Sequence, residues 1–74
     1  MHMQPMTSKE LEYIVDSMSN EDLLIKHNAA VAASIKLPAA SQLCSEMVSI
    51  HRRHYDLLLQ SLYQHQEAAP TQPQ

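Results

Sequence analysis

The chain has 74 residues, about half of what one domain usually takes, so it forms at most one small domain. It contains no glycine, phenylalanine or tryptophan, and this absence of glycine excludes Gly-rich nucleotide-binding loops and Asn-Gly hairpins. A net charge of −3 argues against nucleic-acid partners and against binding to an anionic membrane.

The single cysteine and the hydropathy pattern indicate in which cellular compartment the protein is expected. Cys44 has no second cysteine to pair with, which excludes an intrachain disulfide and suits a reducing compartment. The longest apolar run, Ala29–Ala33, is far shorter than the ~20 residues of a membrane span. The N-terminus lacks a basic region followed by a hydrophobic core, so we expect no secretion signal.

The chain divides into a helical domain, residues 7–66, between two tails. Residues 1–6 are unpatterned and residues 67–74 are rich in Pro and Gln, so both tails are predicted to be flexible or disordered. Thr7 and Glu10 have the spacing of a capping box, which predicts a helix start. An apolar stripe then predicts a first helix over about 7–18; its members are Leu11, Ile14, Val15 and Met18.

A second helix is predicted over about 20–36. Ser19 is a good capping residue, and Glu21 and Asp22 follow where a helix dipole favours carboxylates. The apolar stripe changes phase at the same point, because Leu23 and Leu24 do not continue the row that ends at Met18. The pattern therefore predicts a break at Ser19.

A third helix is predicted over about 38–66, since Pro38 suits the first turn of a helix but cannot extend the preceding one. Two neighbouring rows with bundle-seam spacing run along it. The first is Leu43, Met47, Ile50, His54, Leu57 and Ser61, and the second is Cys44, Val48, His51, Tyr55, Leu58 and Leu62. Together they form a face wider than one partner helix covers.

These lengths predict an all-α fold with a short N-terminal helix and an antiparallel helical hairpin. Because one flank of the long helix stays bare, we expect a half-bundle that is completed by dimerisation. The predicted oligomer interface consists of Leu43, Met47, Ile50, Tyr55, Leu58 and Leu62.

Histidines are the main candidates for chemistry. His51 and His54 are three residues apart on one helix, a spacing at which two imidazoles reach one metal ion. His27 and Glu46 are close enough in the predicted hairpin to complete a transition-metal site. The simpler interpretation, which we favour, is that these histidines form polar edges of the seam and that no cofactor is needed. Cys44 is interpreted as a buried thiol, with an intermolecular disulfide as the alternative.

The sequence also resembles a known family. Three segments carry the resemblance: Thr7–Lys26 (TSKELEYIVDSMSNEDLLIK), Gln42–Cys44 (QLC) and His51–Leu59 (HRRHYDLLL). They are similar to the small spore coat F-like proteins of endospore-forming Firmicutes, over about residues 7–63. The resemblance implies a ferritin-like helical arrangement and a place in the spore coat or its assembly, after synthesis in the mother-cell cytoplasm. It implies no catalytic activity, and the glutamates of di-iron enzymes have no counterparts here.

Two functions follow as hypotheses. The first is a non-catalytic structural or interaction protein of the spore coat, acting as a homodimer or higher oligomer and contacting other coat proteins. The alternative is a histidine-based, ferritin-like metal-binding bundle for metal storage or redox work.

Overall fold

The computed structural model describes residues 6–68, with side chains up to residue 65. Within this range the chain forms two α-helices and no strand, α1 (Ser8–Ser34) and α2 (Pro38–Ala68), so the predicted all-α class is confirmed. The helices lie antiparallel and contact each other along their length. The predicted tails lie outside the described residues except for residue 6 and for residues 67–68, which continue α2.

The start of α1 is the predicted capping box. The Thr7 hydroxyl accepts a hydrogen bond from the Glu10 backbone N–H at 3.1 Å, and the Glu10 carboxylate accepts one from the Thr7 backbone N–H at 2.9 Å. Two backbone donors that the first turn leaves without a helical partner are satisfied in this way.

The predicted break at Ser19 is wrong, because α1 continues without interruption to Ser34. The row that faces α2 keeps one phase at alternating spacings of four and three residues. Its half-buried members are Ile14, Met18, Glu21, Ile25, Asn28, Ala32 and Ile35. The apparent phase change arose because Glu21 occupies the seam position, whereas the apolar pattern pointed to Leu23 and Leu24, both of which are exposed.

The second row predicted on the long helix is the row that packs against α1. Its members, Cys44, Val48, His51, Tyr55, Leu58 and Leu62, are all half-buried. Ser41 and His65 extend the same spacing in both directions and are half-buried as well. The hairpin is thus a two-helix antiparallel coiled coil.

The connection between the helices needs no left-handed residue. Ile35 ends α1 in an extended conformation, with φ −79° and ψ 141°, and no residue of the described chain has positive φ. The Ser41 hydroxyl donates to the backbone oxygen of Ala32 at 2.7 Å, across the connection. Carbonyls in the last turn of a helix have no helical donor, so this bond satisfies one of them and fixes the helix register.

The hairpin is a single layer without an enclosed core. It measures 53 × 25 × 15 Å, and among the described residues none is buried. Two packed helices cover only one stripe of each other, so every apolar side chain on the remaining faces meets water.

Candidate functional site

A cluster of three ionisable side chains interrupts the apolar seam at the middle of the hairpin. We call Glu21, His51 and His54 the polar layer. Oε1 of Glu21 lies 2.6 Å from Nδ1 of His51, and both carboxylate oxygens lie 3.2 Å from Nδ1 of His54. One ligand atom from each of the three residues lies within 4.8 Å of the other two. Two helices therefore bring three nitrogen and oxygen ligands to one point.

The polar layer is partly shielded from water. The side chains of Glu21 and His51 are each 12% exposed, whereas that of His54 is 50% exposed. An ionised carboxylate only accepts hydrogen bonds, so each imidazole donates through a protonated Nδ1. The hydrogen bond from His51 is the main cause that lowers the pKa of Glu21, burial opposes it, and the bond from His54 adds to the lowering. Glu21 is thus held as a carboxylate.

The structure unites half of the predicted metal-site residues. His51 and His54 converge, with ring centroids 5.7 Å apart and an interplanar angle of 79°. His27 and Glu46 are exposed and do not belong to the cluster. The carboxylate is supplied instead by Glu21, a residue that the sequence pattern predicted in the first turn of a second helix. The heptad spacing from Ile14 to Ile35 is the signal that would have placed it in the seam.

An open groove adjoins the polar layer on one side of the hairpin. Polar residues and leucines of both helices line it: Ser17, Asn20, Glu21, Leu24, His54, Leu57 and Leu58. The exposed side chain of His54 therefore borders an apolar surface.

That surface continues along both helices. Val31 follows Leu24 by seven residues on α1, and seven-residue steps also connect Leu43, Ile50 and Leu57 on α2, so each set lies in one row. We call these five residues the open face. Their exposures are 40% for Leu24, 41% for Val31, 58% for Leu43, 44% for Ile50 and 55% for Leu57.

The opposite side of the hairpin is charged. Asp22, Arg52 and Asp56 line a shallow groove there together with Ile25 and Tyr55. Lys26 forms an ion pair with Asp22, with 2.8 Å between Nζ and Oδ2. The hairpin therefore separates a mainly apolar side from a solvated charged side.

The residues predicted to form an oligomer interface divide between two surfaces. Leu43 and Ile50 belong to the open face, and Met47 is half-buried beside them. Tyr55, Leu58 and Leu62 lie in the seam between α1 and α2, where they contribute to the hairpin itself. Cys44 is a free thiol and half-buried in the same seam.

Comparisons of the chain with protein-family models, with curated proteins and with solved structures returned no match. Neither of the two described helices combines the length and the apolar character needed to cross a bilayer.

Proposed function

We propose that this protein is a non-catalytic structural or interaction module that assembles by packing its open face against that of a second copy. Two hairpins joined in this way would form a four-helix bundle, which is compatible with the ferritin-like arrangement that the family resemblance implies. The observation that carries the proposal is the combination of a hairpin without a buried residue in its described part and a row of exposed leucine, isoleucine and valine side chains on one side.

The lack of a core supports this proposal. No residue of the described hairpin is buried, and the five side chains of the open face are 40–58% exposed. An isolated two-helix hairpin has little other means to offset the entropy of ordering its helices.

The lack of charge on the open face is compatible with a second copy as the partner. The open face contains no Asp, Glu, Lys or Arg, so two copies meet there without like-charge repulsion in spite of the net charge of −3. The charged residues Asp22, Lys26 and Arg52 remain on the outside of such a bundle. The exposed rows also repeat every seven residues, which is the spacing that helices use to pack against helices.

Adjacent leucines provide a matched test. Leu24 lies on the open face and is 40% exposed, whereas Leu23 is 50% exposed and does not line the groove. We expect light scattering after size exclusion to give twice the chain mass for the wild type and for Leu23→Glu. Leu24→Glu should give the monomer mass, because a charge would be buried without a partner. A monomeric wild type, or equal effects of the two substitutions, would contradict the proposal.

The resemblance to spore coat F-like proteins supports a setting for this module in the spore coat or its assembly, with other coat proteins as further partners. A small, helical, self-associating unit suits such a layer because it needs no ligand to assemble. Immunodetection in fractions of sporulating cells tests the setting. We expect the protein in the mother-cell fraction first and in the extractable coat of mature spores later, and its absence from purified spores would remove the coat assignment.

A further inference from the structure

Beyond self-association, we propose that the polar layer binds one divalent first-row transition metal ion. The ligands are one carboxylate oxygen of Glu21 and Nδ1 of both His51 and His54. This differs from the predicted site, because Glu21 takes the place of His27 and Glu46.

Ligand spacing supports the assignment. With metal–ligand bonds of about 2.0–2.1 Å, the ligand atoms of a tetrahedral site lie about 3.3 Å apart. Oε2 of Glu21 is 3.3 Å from Nδ1 of His51 and 3.2 Å from Nδ1 of His54. Both carboxylate–imidazole distances therefore already equal the edge of a tetrahedron, and one ligand atom of each of the three residues lies within 4.8 Å of the other two.

The donor set indicates which ions fit. Two imidazoles and a carboxylate suit Zn²⁺, Cu²⁺ and Ni²⁺, whereas Mg²⁺ and Ca²⁺ prefer sites made only of oxygen. No thiolate joins the site, because Cys44 is absent from the cluster. When the ion binds, it replaces the hydrogen-bonding proton on each Nδ1, and each neutral imidazole carries its proton on Nε2 instead.

The position of the polar layer in the hairpin makes its three ligands rigid and lets an ion reach them. His51 and His54 are one turn apart on α2, and Glu21 faces them from the middle of α1, so helical backbone holds all three ligands. In a single hairpin the half-exposed side of His54 opens to the adjacent groove, which gives an ion a route from solvent before two open faces pack together and leaves room for a water molecule as the fourth ligand.

Titration of the untagged 74-residue chain with Zn²⁺ by calorimetry tests the site, and Co²⁺ absorption reports its geometry. We expect one ion per chain and the intense visible bands of tetrahedral Co²⁺. His51→Ala and His54→Ala should each weaken Zn²⁺ binding at least about tenfold, the loss typical of disturbing even a residue that only supports a ligand. Glu21→Ala should have a similar effect.

The matched control is His27→Ala, which removes an exposed histidine of α1 outside the cluster and should leave the affinity unchanged. His2→Ala controls for an imidazole outside the described residues. Helicity by circular dichroism guards against unfolding, and His54→Ala is decisive because its half-exposed position tolerates truncation. Equal Zn²⁺ affinity of His54→Ala and His27→Ala, or binding by wild type that is no tighter than by a His51/His54 double variant, would overturn the site.

Discussion

Glu21 of α1 and His51 of α2 meet in the seam of the hairpin, with 2.6 Å between Oε1 and Nδ1. Thirty residues separate them along the chain, so their contact exists only when the two helices adopt one register. A polar pair in a mostly apolar seam penalises a slipped register, because sliding α2 by one turn would leave a carboxylate against apolar side chains. The same contact thus specifies the fold and prepares the ligands of the proposed metal site.

The polar layer should stabilise the hairpin even without a metal ion. Glu21→Ala removes the carboxylate to which both His51 and His54 donate, so we expect a clear fall in the thermal midpoint at pH 7, measured by circular dichroism. Glu21→Gln retains an acceptor oxygen, so its thermal midpoint should lie between those of Glu21→Ala and the wild type. Asp22→Ala is the matched control, because Asp22 is more exposed and faces the charged side. A larger loss for Asp22→Ala than for Glu21→Ala would be inconsistent with this role.

The N-terminal cap should contribute to stability through Thr7. Thr7→Ala leaves the Glu10 backbone N–H without its side-chain acceptor, and the loss of such caps costs about 1 kcal/mol. Chemical denaturation followed at 222 nm measures the change. Ser8→Ala, one residue further into the helix, serves as the control and should have little effect. Equal destabilisation by both substitutions would show that the capping hydrogen bond is not the cause.

The cap should also make stability depend on pH in the acid range. The bond from the Thr7 backbone lowers the pKa of Glu10 from 4.5, and His65 acts in the same direction. Because the folded pKa is depressed, this stabilisation is present above about pH 4.5 and is lost as pH falls through the lower folded value. We expect the difference in thermal midpoint between wild type and Glu10→Gln to be largest at pH 7 and to shrink toward about pH 3. A difference that grows on acidification would contradict the assigned bond.

Local signals predicted much of this fold. The capping box at Thr7, the helix start at Pro38 and the second apolar row of α2 are all observed, because each depends on residues within a few turns of one helix. The break at Ser19 failed for the opposite reason. The partners that hold Glu21 in the seam, His51 and His54, lie thirty or more residues away, and a pattern limited to apolar residues leaves Glu21 out of the row.

The candidate site could also be predicted only in the part that depends on local spacing. The spacing of His51 and His54 was sufficient to place two imidazoles on one side of α2. The third member depends on the register between the helices, which the Ser41–Ala32 and Glu21–His51 contacts fix. A heptad reading of α1 that admits polar residues at seam positions recovers Glu21, whereas a reading limited to apolar residues selects Leu23 and Leu24 and loses it.

The Ser41 hydroxyl should stabilise the turn between the helices. Ser41→Ala removes the only side-chain bond across this connection within the described residues and leaves the Ala32 carbonyl without that donor. The expected loss is about 1 kcal/mol, the usual net value of a protein hydrogen bond. Ser45→Ala, an exposed serine one turn further along α2, is the control and should be neutral within error. If the two variants unfold at the same denaturant concentration, the bond contributes nothing.

Assembly through the open face should couple stability to protein concentration. A dimer that forms only from folded hairpins is favoured by mass action, so the thermal midpoint of the wild type should rise as concentration increases tenfold. Ile50→Ala removes apolar area from the middle of the open face and should lower the midpoint while weakening this concentration dependence. Leu37→Ala is the matched control, because Leu37 is 66% exposed but lies in the connection between the helices. A wild-type midpoint that is independent of concentration over that range would show that the hairpin is stable as a monomer, and Ile50 would then be one exposed isoleucine without an assembly role.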